Sequence, residues 1–166
     1  SKVKRSFFNQ VTLNYPDISK KSIKIFSNGK LQITGLTSGF ECQKLMDYLV
    51  RLLHRTLGDT TIAIEHSYIG MINSNFSTHM NIDLVKLNRI LNRNANVMSI
   101  YNPESYPAIN VKYNVPGSET CTSIFVFGTG NIVTTGGKSL SDIRASYLFI
   151  HNEITNHYET VCKRFE

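Results

Sequence analysis

The sequence is poor in cysteine and contains no long hydrophobic run. Its three cysteines, Cys42, Cys121 and Cys162, are odd in number and widely spaced, which argues against a disulfide framework and favours buried or neutral thiols in an intracellular reducing compartment. No run of about 18 apolar residues is present, and no signal-peptide pattern opens the chain. We therefore expect neither a disulfide-stapled domain nor a membrane-spanning one, and no membrane partner.

Acidic residues are scarce as well. The chain has 18 Lys and Arg against 12 Asp and Glu, a formal net charge of +6 and a pI near 9.3. This balance favours an acidic partner, and nucleic acid is the first candidate. With 166 residues, 41% of them hydrophobic, the chain can bury one good core, so we expect one compact unit or two fused halves.

Catalytic and metal-binding patterns are missing too. The five histidines lack the Cys/His spacing of a zinc site. The sequence also shows no recognisable set of a nucleophile, a general base and a residue that orients the base. The sequence Gly136-Gly137-Lys138-Ser139 looks like the end of a phosphate-binding loop, but the glycine needed five residues before Gly137 is Ile132. The sequence predicts no enzyme, no cofactor and no metal.

A twelve-residue phrase occurs twice, beginning at Ile25 and at Val126, with Gly29 of the first copy matching Gly130 of the second. Each copy has an apolar run ending in Phe, a glycine turn, an alternating run ending in Thr-Gly, and then a helical stretch. Such a repeat predicts two related halves. We place them at residues 1–57 and 58–166 of one continuous domain.

Periodicity predicts the elements around the phrase. Strands are expected at residues 8–15 and 106–113, and helices at 39–57 and 140–164, with Ser38 and Ser141 as N-cap or first-turn residues. Between the halves, residues 61–80 favour strand, 82–93 helix and 97–101 strand. The first half lacks a matching opening strand and helix.

Alternation along the strands separates two faces of each sheet. The apolar face, expected under the helices, comprises Val11, Leu13, Ile23, Ile25, Leu31 and Ile33, then Ile109, Val111, Ile124, Val126 and Ile132. The opposite face comprises Phe8, Gln10, Thr12, Asn14, Lys24, Phe26, Gln32 and Thr34, then Tyr106, Ala108, Asn110, Lys112, Phe125, Phe127, Val133 and Thr135. Because exposed apolar patches usually mark binding surfaces, the aromatic content of this second face predicts a binding function.

The repeated phrase, together with Tyr101-Asn102-Pro103-Glu104-Ser105-Tyr106-Pro107-Ala108, resembles the TATA-box-binding protein family. In its second half, that family carries the segment Tyr-Glu-Pro-Glu-Leu-Phe-Pro-Gly. This chain keeps the Tyr, both prolines and the second Glu of that segment. The resemblance runs from about residue 7 to residue 154 and suits a divergent, cellular or viral member. It implies an α+β saddle of two pseudo-symmetric repeats, in which a curved antiparallel sheet faces the DNA minor groove and helices cover the convex side.

The resemblance also implies roles for individual residues. Aromatic wedges that kink DNA would be Phe8 with Phe26, and Tyr106 with Phe127. Contacts on the groove face would come from Gln10, Thr12, Thr34, Asn110, Phe125, Val133 and Thr135, and phosphate contacts from Lys24, Lys30 and Lys112. The position of the family's central asparagine falls within residues 64–75: Ile69 is the first choice, which would mean that the asparagine is lost, and Asn73 and Asn75 are the alternatives.

The implied partners are double-stranded DNA with an AT-rich minor groove, a IIB-like general transcription factor at Pro103, Glu104 and Pro107, and an RNA polymerase, in a nucleus or a viral transcription compartment. Lys24 and Gln32 depart from the family, which is apolar there. Two alternatives stay open: a protein-interaction platform without autonomous DNA binding, and an accessory module of a nucleic-acid enzyme. The lysines at 20, 21, 24 and 30 fit a solvated rim equally well.

Overall fold

The computed structural model describes residues 9–15 and 21–162. Contacts within the chain divide it into two units, Ser1–Ser67 and Tyr68–Glu166. Phe8, one of the predicted wedges, lies outside the described residues. Each unit contains an antiparallel sheet and at least one helix, so the α+β composition expected from the sequence is confirmed.

The first unit has a three-stranded sheet and one helix among its described residues. Its elements are β1 (Gln10–Tyr15), β2 (Lys21–Phe26), β3 (Leu31–Thr34) and α1 (Gly39–Leu57), with the strands in the order β1-β2-β3. Helix α1 begins at the Ser38 N-cap, which accepts the N–H of Glu41, and ends at Gly58 in the left-handed conformation. Leu45 and Leu49 on α1 pack against Ile23 to form the core.

The second unit is larger. Its elements are β4 (Ile72–Ser77), α2 (Leu84–Leu91), β5 (Val97–Ile100), β6 (Ala108–Asn114), β7 (Cys121–Phe127), β8 (Asn131–Gly137), α3 (Leu140–Asn156) and α4 (Tyr158–Val161). The strands lie in the order β4-β8-β7-β6-β5. Every residue of the predicted apolar face on β6, β7 and β8 is fully buried, as the alternation required.

Val11 shows that the first unit is covered less completely than the second. It was predicted in the core, yet 59% of it is exposed, whereas Ile109 at the matching place on β6 is fully buried. Ile109 shares its cluster with Leu87 and Leu91 of α2. The described residues of the first unit include no counterpart of α2, so nothing in them covers Val11.

Two predicted elements differ from those observed. The strand expected over residues 61–80 forms only as β4, because residues 62–71 join no ladder and the ring of His54 instead bonds the carbonyl of Ile62 at 2.7 Å. The helix expected to reach residue 164 ends at Asn156. The chain turns at His157, which places α4 so that the buried Val161 accepts a hydrogen bond from the N–H of Asp83 at 2.7 Å.

The repeat reappears in the geometry of the turns and caps. Gly29 and Gly130 both have φ of +80°, the left-handed conformation that glycine adopts without strain. Their surroundings differ: a Cβ on Gly29 would meet nothing within 4 Å, whereas one on Gly130 would collide with the carbonyl of Met80. The N-cap of α3 is Ser139, the repeat counterpart of Ser38, and Ser141 lies in the first turn.

The three cysteines are free thiols. Cys42 and Cys162 are half-buried, while Cys121 is exposed at the start of β7. Burial, with a smaller contribution from Glu159, raises the pKa of the Cys162 thiol, which favours its neutral form. None of the helices in the described ranges is long and apolar enough to cross a membrane.

Thr134 places a hydroxyl in the core of the second unit. The residue is fully buried on β8 opposite Ile124, and its Oγ1 has no hydrogen-bond partner among the described residues. The matching position of the first repeat is Ile33. A buried polar group without a partner costs stability, since it has given up its bonds to water.

We expect Thr134→Val to raise the free energy of unfolding by about 1 kcal/mol, because valine keeps the shape and removes the unpaired hydroxyl. Urea unfolding would measure the change. Thr135→Val, one residue along on the opposite face, is the control and should shift the midpoint much less. A loss of stability in Thr134→Val would contradict the assignment of an unsatisfied hydroxyl.

Asp142 holds the beginning of α3. Its backbone N–H is donated to the Ser139 hydroxyl, and its carboxylate accepts the N–H groups of Lys138 and Ser139 at 2.9 and 3.0 Å. Burial of the carboxylate favours the neutral form, but these hydrogen bonds outweigh it and hold the pKa of Asp142 below the usual 3.8. The ionised form is therefore the stabilising one.

A lowered pKa in the folded state means that Asp142 contributes its full stabilisation above the unfolded pKa and loses it as the pH falls through the folded value. Asp142→Asn should lower Tm at neutral pH and flatten the fall of Tm between about pH 5 and pH 2. Circular dichroism melts across that range would test this. Glu119→Gln, at an exposed turn, should keep the parent's pH profile; an Asp142→Asn profile parallel to the parent's would contradict the assignment.

Candidate nucleic-acid interface

The side of each sheet that points away from the apolar core is called the open face below. In the second unit its central row crosses all five strands and consists of Asn75, Val133, Phe125, Asn110 and Ile100. Residues directly opposite one another on neighbouring antiparallel strands point to the same side. The register therefore places the predicted groove-face residues Phe125, Val133 and Asn110 next to one another.

A second row of the same face is more polar. It contains Thr135, Ser123, Lys112 and Met98. The ammonium group of Lys112 donates to the hydroxyl of Ser123, so the lysine lies across the strands. Thr135 and Lys112 are thus on the face where the sequence placed them.

The outer strand β5 adds two apolar residues that the sequence analysis did not include. Met98 and Ile100 are 62% and 57% exposed and lie opposite Lys112 and Asn110. The sequence does show the alternation, since Val97 and Ser99 alternate with Met98 and Ile100 and point towards the core. Alternation alone does not place these two residues beside Lys112 and Asn110, because that requires the register between β5 and β6.

Tyr106 joins two half-buried phenylalanines in an aromatic cluster on this face. Its ring centroid lies 5.8 Å from that of Phe125 and 6.1 Å from that of Phe127, at interplanar angles of 72° and 60°. Tyr106 is 47% exposed. Ala108 was also predicted on this face, but it is only 2% exposed, because a methyl group directly opposite the Phe127 ring is shielded by its larger neighbour.

Asn110 is a polar residue of the central row, next to Phe125. It lies between Phe125 and Ile100, and its Oδ1 is buried without a hydrogen-bond partner among the described residues. Buried polar atoms are nearly always bonded, so an unpaired acceptor at a surface rich in aromatic groups is unusual.

The open face of the first unit is built in the same register from different side chains. Its central row is Thr12, Lys24 and Gln32, and the row beside it is Asn14, Ser22 and Thr34. Gln10 pairs with Phe26, which is half-buried at the end of β2. Phe26 thus occupies the place that Phe127 takes in the second unit, while the surface around it is polar.

The lysines of the first unit have three different environments. Lys30 is exposed in the β2–β3 hairpin, as a phosphate contact requires, whereas Lys24 is half-buried in the central strand. Lys21 is not part of a solvated rim: it is 4% exposed and its Nζ lies 3.3 Å from Glu41 Oε1. Lys20 lies outside the described residues.

The turn between β5 and β6 is organised by Asn102, which replaces a family glutamate. Its carbonyl accepts the N–H groups of Ser105 and Tyr106 at 3.1 and 3.0 Å, and its Oδ1 accepts that of Glu104 at 3.2 Å. The predicted protein-contact residues Pro103, Glu104 and Pro107 are all exposed on this turn.

The three candidates for the central asparagine are placed differently. Asn75 lies in β4 opposite Val133, on the open face. Ile69 precedes the strand and is 64% exposed, and Asn73 lies at a register shift of β4. Asn75 is therefore the candidate whose placement suits contact with a ligand on this face.

Comparisons by family model and by sequence both match this chain to TATA-binding proteins. The family model described as transcription factor TFIID, or TATA-binding protein, matches residues 69–157. A TATA-box-binding protein-like protein of Acanthamoeba polyphaga mimivirus is 33% identical over 186 residues, covering 95% of this chain and 50% of the viral protein. The TATA-box-binding protein of Pyrobaculum aerophilum is 26% identical over 133 residues, covering 80% of this chain and 62% of the archaeal one.

A solved structure has the same fold. Methanococcus jannaschii TBP matches with a TM-score of 0.70 at 21% identity, covering 90% of this chain and 79% of that structure. The fold expected from the resemblance is thereby confirmed. The chain spans about half the length of the mimivirus relative and about 62% of the Pyrobaculum one.

Within residues 9–15 and 21–162, no cluster of three or more His, Cys, Asp or Glu side chains has a geometry that could hold a metal. The chemistry available on the open faces is therefore that of aromatic rings, amides, hydroxyls and lysine ammonium groups.

The contact between Tyr106 and Phe125 should be measurable without any ligand. We expect a double-mutant cycle with Tyr106→Ala and Phe125→Ala to give a coupling free energy of about 0.5–1.5 kcal/mol, as for edge-to-face aromatic pairs. Chemical unfolding of the four proteins would measure it. The pair Tyr106→Ala and Tyr147→Ala, whose rings belong to different clusters, should couple weakly, and a coupling near zero for Tyr106 and Phe125 would contradict the geometry.

Proposed function

The chain belongs to the TATA-binding protein family, and on that premise we propose that it is a minor-groove DNA-binding and DNA-bending factor of transcription initiation. The observation that carries the proposal is the aromatic cluster of Tyr106, Phe125 and Phe127 on the open face. Aromatic and aliphatic groups on a surface that also carries amides, hydroxyls and a lysine suit a ligand that offers both stacked rings and negative charge.

The proposed bend follows from the position of these rings. Minor-groove binders insert apolar side chains between base steps and recover the cost of unstacking through the extra contacts of a bent duplex. Tyr106 with Phe127 would form one wedge, and Phe26 with Phe8 the other. Because TA steps unstack easily, the sequence preference would arise largely from the deformability of the DNA.

Charge supports the same function. The net charge of +6 attracts DNA over a distance, and the exposed Lys30 and Lys112 would contact phosphates. Gln10, Thr12, Thr34 and Thr135 would add hydrogen bonds along the groove, since hydroxyl and amide groups can pair with base edges and sugar atoms.

The exposed β5–β6 turn would bind a IIB-like general transcription factor, with Glu104 as the charged contact between Pro103 and Pro107. Through that factor the protein would recruit an RNA polymerase. Its place of work would be a nucleus or a viral transcription compartment.

One observation favours a second function. The central row of the first unit, Thr12, Lys24 and Gln32, offers no apolar surface to a groove floor. A protein-interaction platform that does not bind DNA alone would have such a face. Retention of a IIB-like factor without retention of any DNA would support that alternative.

The wedges give the decisive test. Phe26→Ala combined with Phe127→Ala should weaken binding to a TATA-containing duplex by about tenfold or more and abolish its bend, because the rings that hold the base steps open are gone. Gel shift would report the binding and end-to-end FRET the bend. Phe40→Ala is the matched control, since Phe40 is an exposed phenylalanine on α1; equal binding and bending by the double variant would overturn the wedge assignment.

A further inference from the structure

The two open faces have the same register, so their central rows can be compared residue by residue. Thr12, Lys24 and Gln32 of the first unit match Asn110, Phe125 and Val133 of the second. In the row beside them Ser22 and Thr34 match Ser123 and Thr135, while Asn14 stands where the second unit has Lys112. Apart from that one position, the difference between the units is concentrated in the central row.

The two apolar residues of the second unit's row, Phe125 and Val133, suit only one kind of base pair. In the minor groove, A·T and T·A present acceptors alone, whereas G·C adds the 2-amino donor of guanine. Asn75 and Asn110 on either side carry amide oxygens, but Phe125 and Val133 between them have no acceptor for that amino group. A guanine under Phe125 or Val133 would lose its bond to water and gain none, so these two positions select A·T.

The row of the first unit has partners for every base pair. The amide oxygen of Gln32 can accept the guanine 2-amino group, and its amide nitrogen can donate to the acceptors of A·T. The ammonium group of Lys24 can donate to the acceptors of any pair. Neither side chain has a hydrogen bond or ion pair elsewhere among residues 9–15 and 21–162, so both are available.

Placement supports this use of Lys24. It lies in the central strand of its sheet, flanked by Thr12 and Gln32, rather than at a hairpin where Lys30 is exposed. A lysine at the middle of the face is close to whatever lies along the centre of that face. The same place in the second unit is held by Phe125, which contacts the Tyr106 ring.

We infer that the two units read DNA by different rules: base pairs under Lys24 and Gln32 of the first unit can be G·C, and base pairs under Phe125 and Val133 of the second must be A·T. Gln32 is the residue that sets this tolerance, with Lys24 assisting. The inference rests on the proposed function, since it requires the open faces to lie in a minor groove.

Base analogues can test it directly. Starting from an A·T-only duplex, each position in turn is replaced by G·C or by inosine·cytosine, which lacks the 2-amino group and resembles A·T in the minor groove. Fluorescence anisotropy with the 166-residue chain gives the affinity for each duplex. In one half-site G·C should bind about tenfold more weakly than inosine·cytosine, and in the other the two should bind equally.

Two variants assign the half-sites to the units. Gln32→Val should introduce the tenfold discrimination against G·C into the tolerant half, and Val133→Gln should reduce it in the selective half. Gln43→Val, the same substitution on the exposed surface of α1, should change neither. Circular dichroism melts of each variant verify that it is folded.

The outcomes separate the two levels of the proposal. Failure of the parent chain to bind the A·T-only duplex overturns the proposed function and the inference with it. Binding with equal discrimination in both half-sites, or with a pattern that Gln32→Val leaves unchanged, overturns the inference alone. A pattern in which only the tolerant half responds to Gln32→Val supports both.

Discussion

The packing of a helix against one face of each sheet is the constraint on which the rest of the molecule depends. Ile23 beneath α1 and Ile150 of α3 are fully buried, as are the strand residues that face α3. Since side chains alternate along a strand, burying one set determines which residues remain on the other side. A shift of one residue would exchange Phe127 for Val126, so the register that forms the core also creates the aromatic surface.

The two units satisfy this constraint to different degrees. In the second, α2, α3 and α4 enclose the apolar face, and even Thr122 is buried, its hydroxyl 2.7 Å from that of Ser146. In the first, α1 covers the residues near Ile23, while Val11 remains exposed. The ion pair of the buried Lys21 with the half-buried Glu41 adds a polar contact where the second unit has Thr122. The two repeats therefore share the same strand register but carry different side chains at matching positions.

Features that depend on local pattern were predictable from the sequence. The bounds of α1, the buried residues of β6 to β8 and the family itself followed from periodicity and the repeated phrase, and all are confirmed. Features set by distant residues were not. The irregular segment before β4, the end of α3 at Asn156 and the burial of Lys21 depend on which groups they meet in space. Roles on the open faces stay predictions, although Phe26, Tyr106 and Phe127 lie where alternation placed them.

The two hairpin glycines occupy the same position of the repeated phrase but have different steric surroundings. Gly29 needs only its backbone conformation, because open space surrounds it, whereas Gly130 is enclosed by the chain around Met80 and Thr78. An asparagine, which tolerates left-handed backbone, could occupy the first turn but not the second. A side chain at the turn is thus tolerated sterically in the first hairpin and excluded from the second by its neighbours.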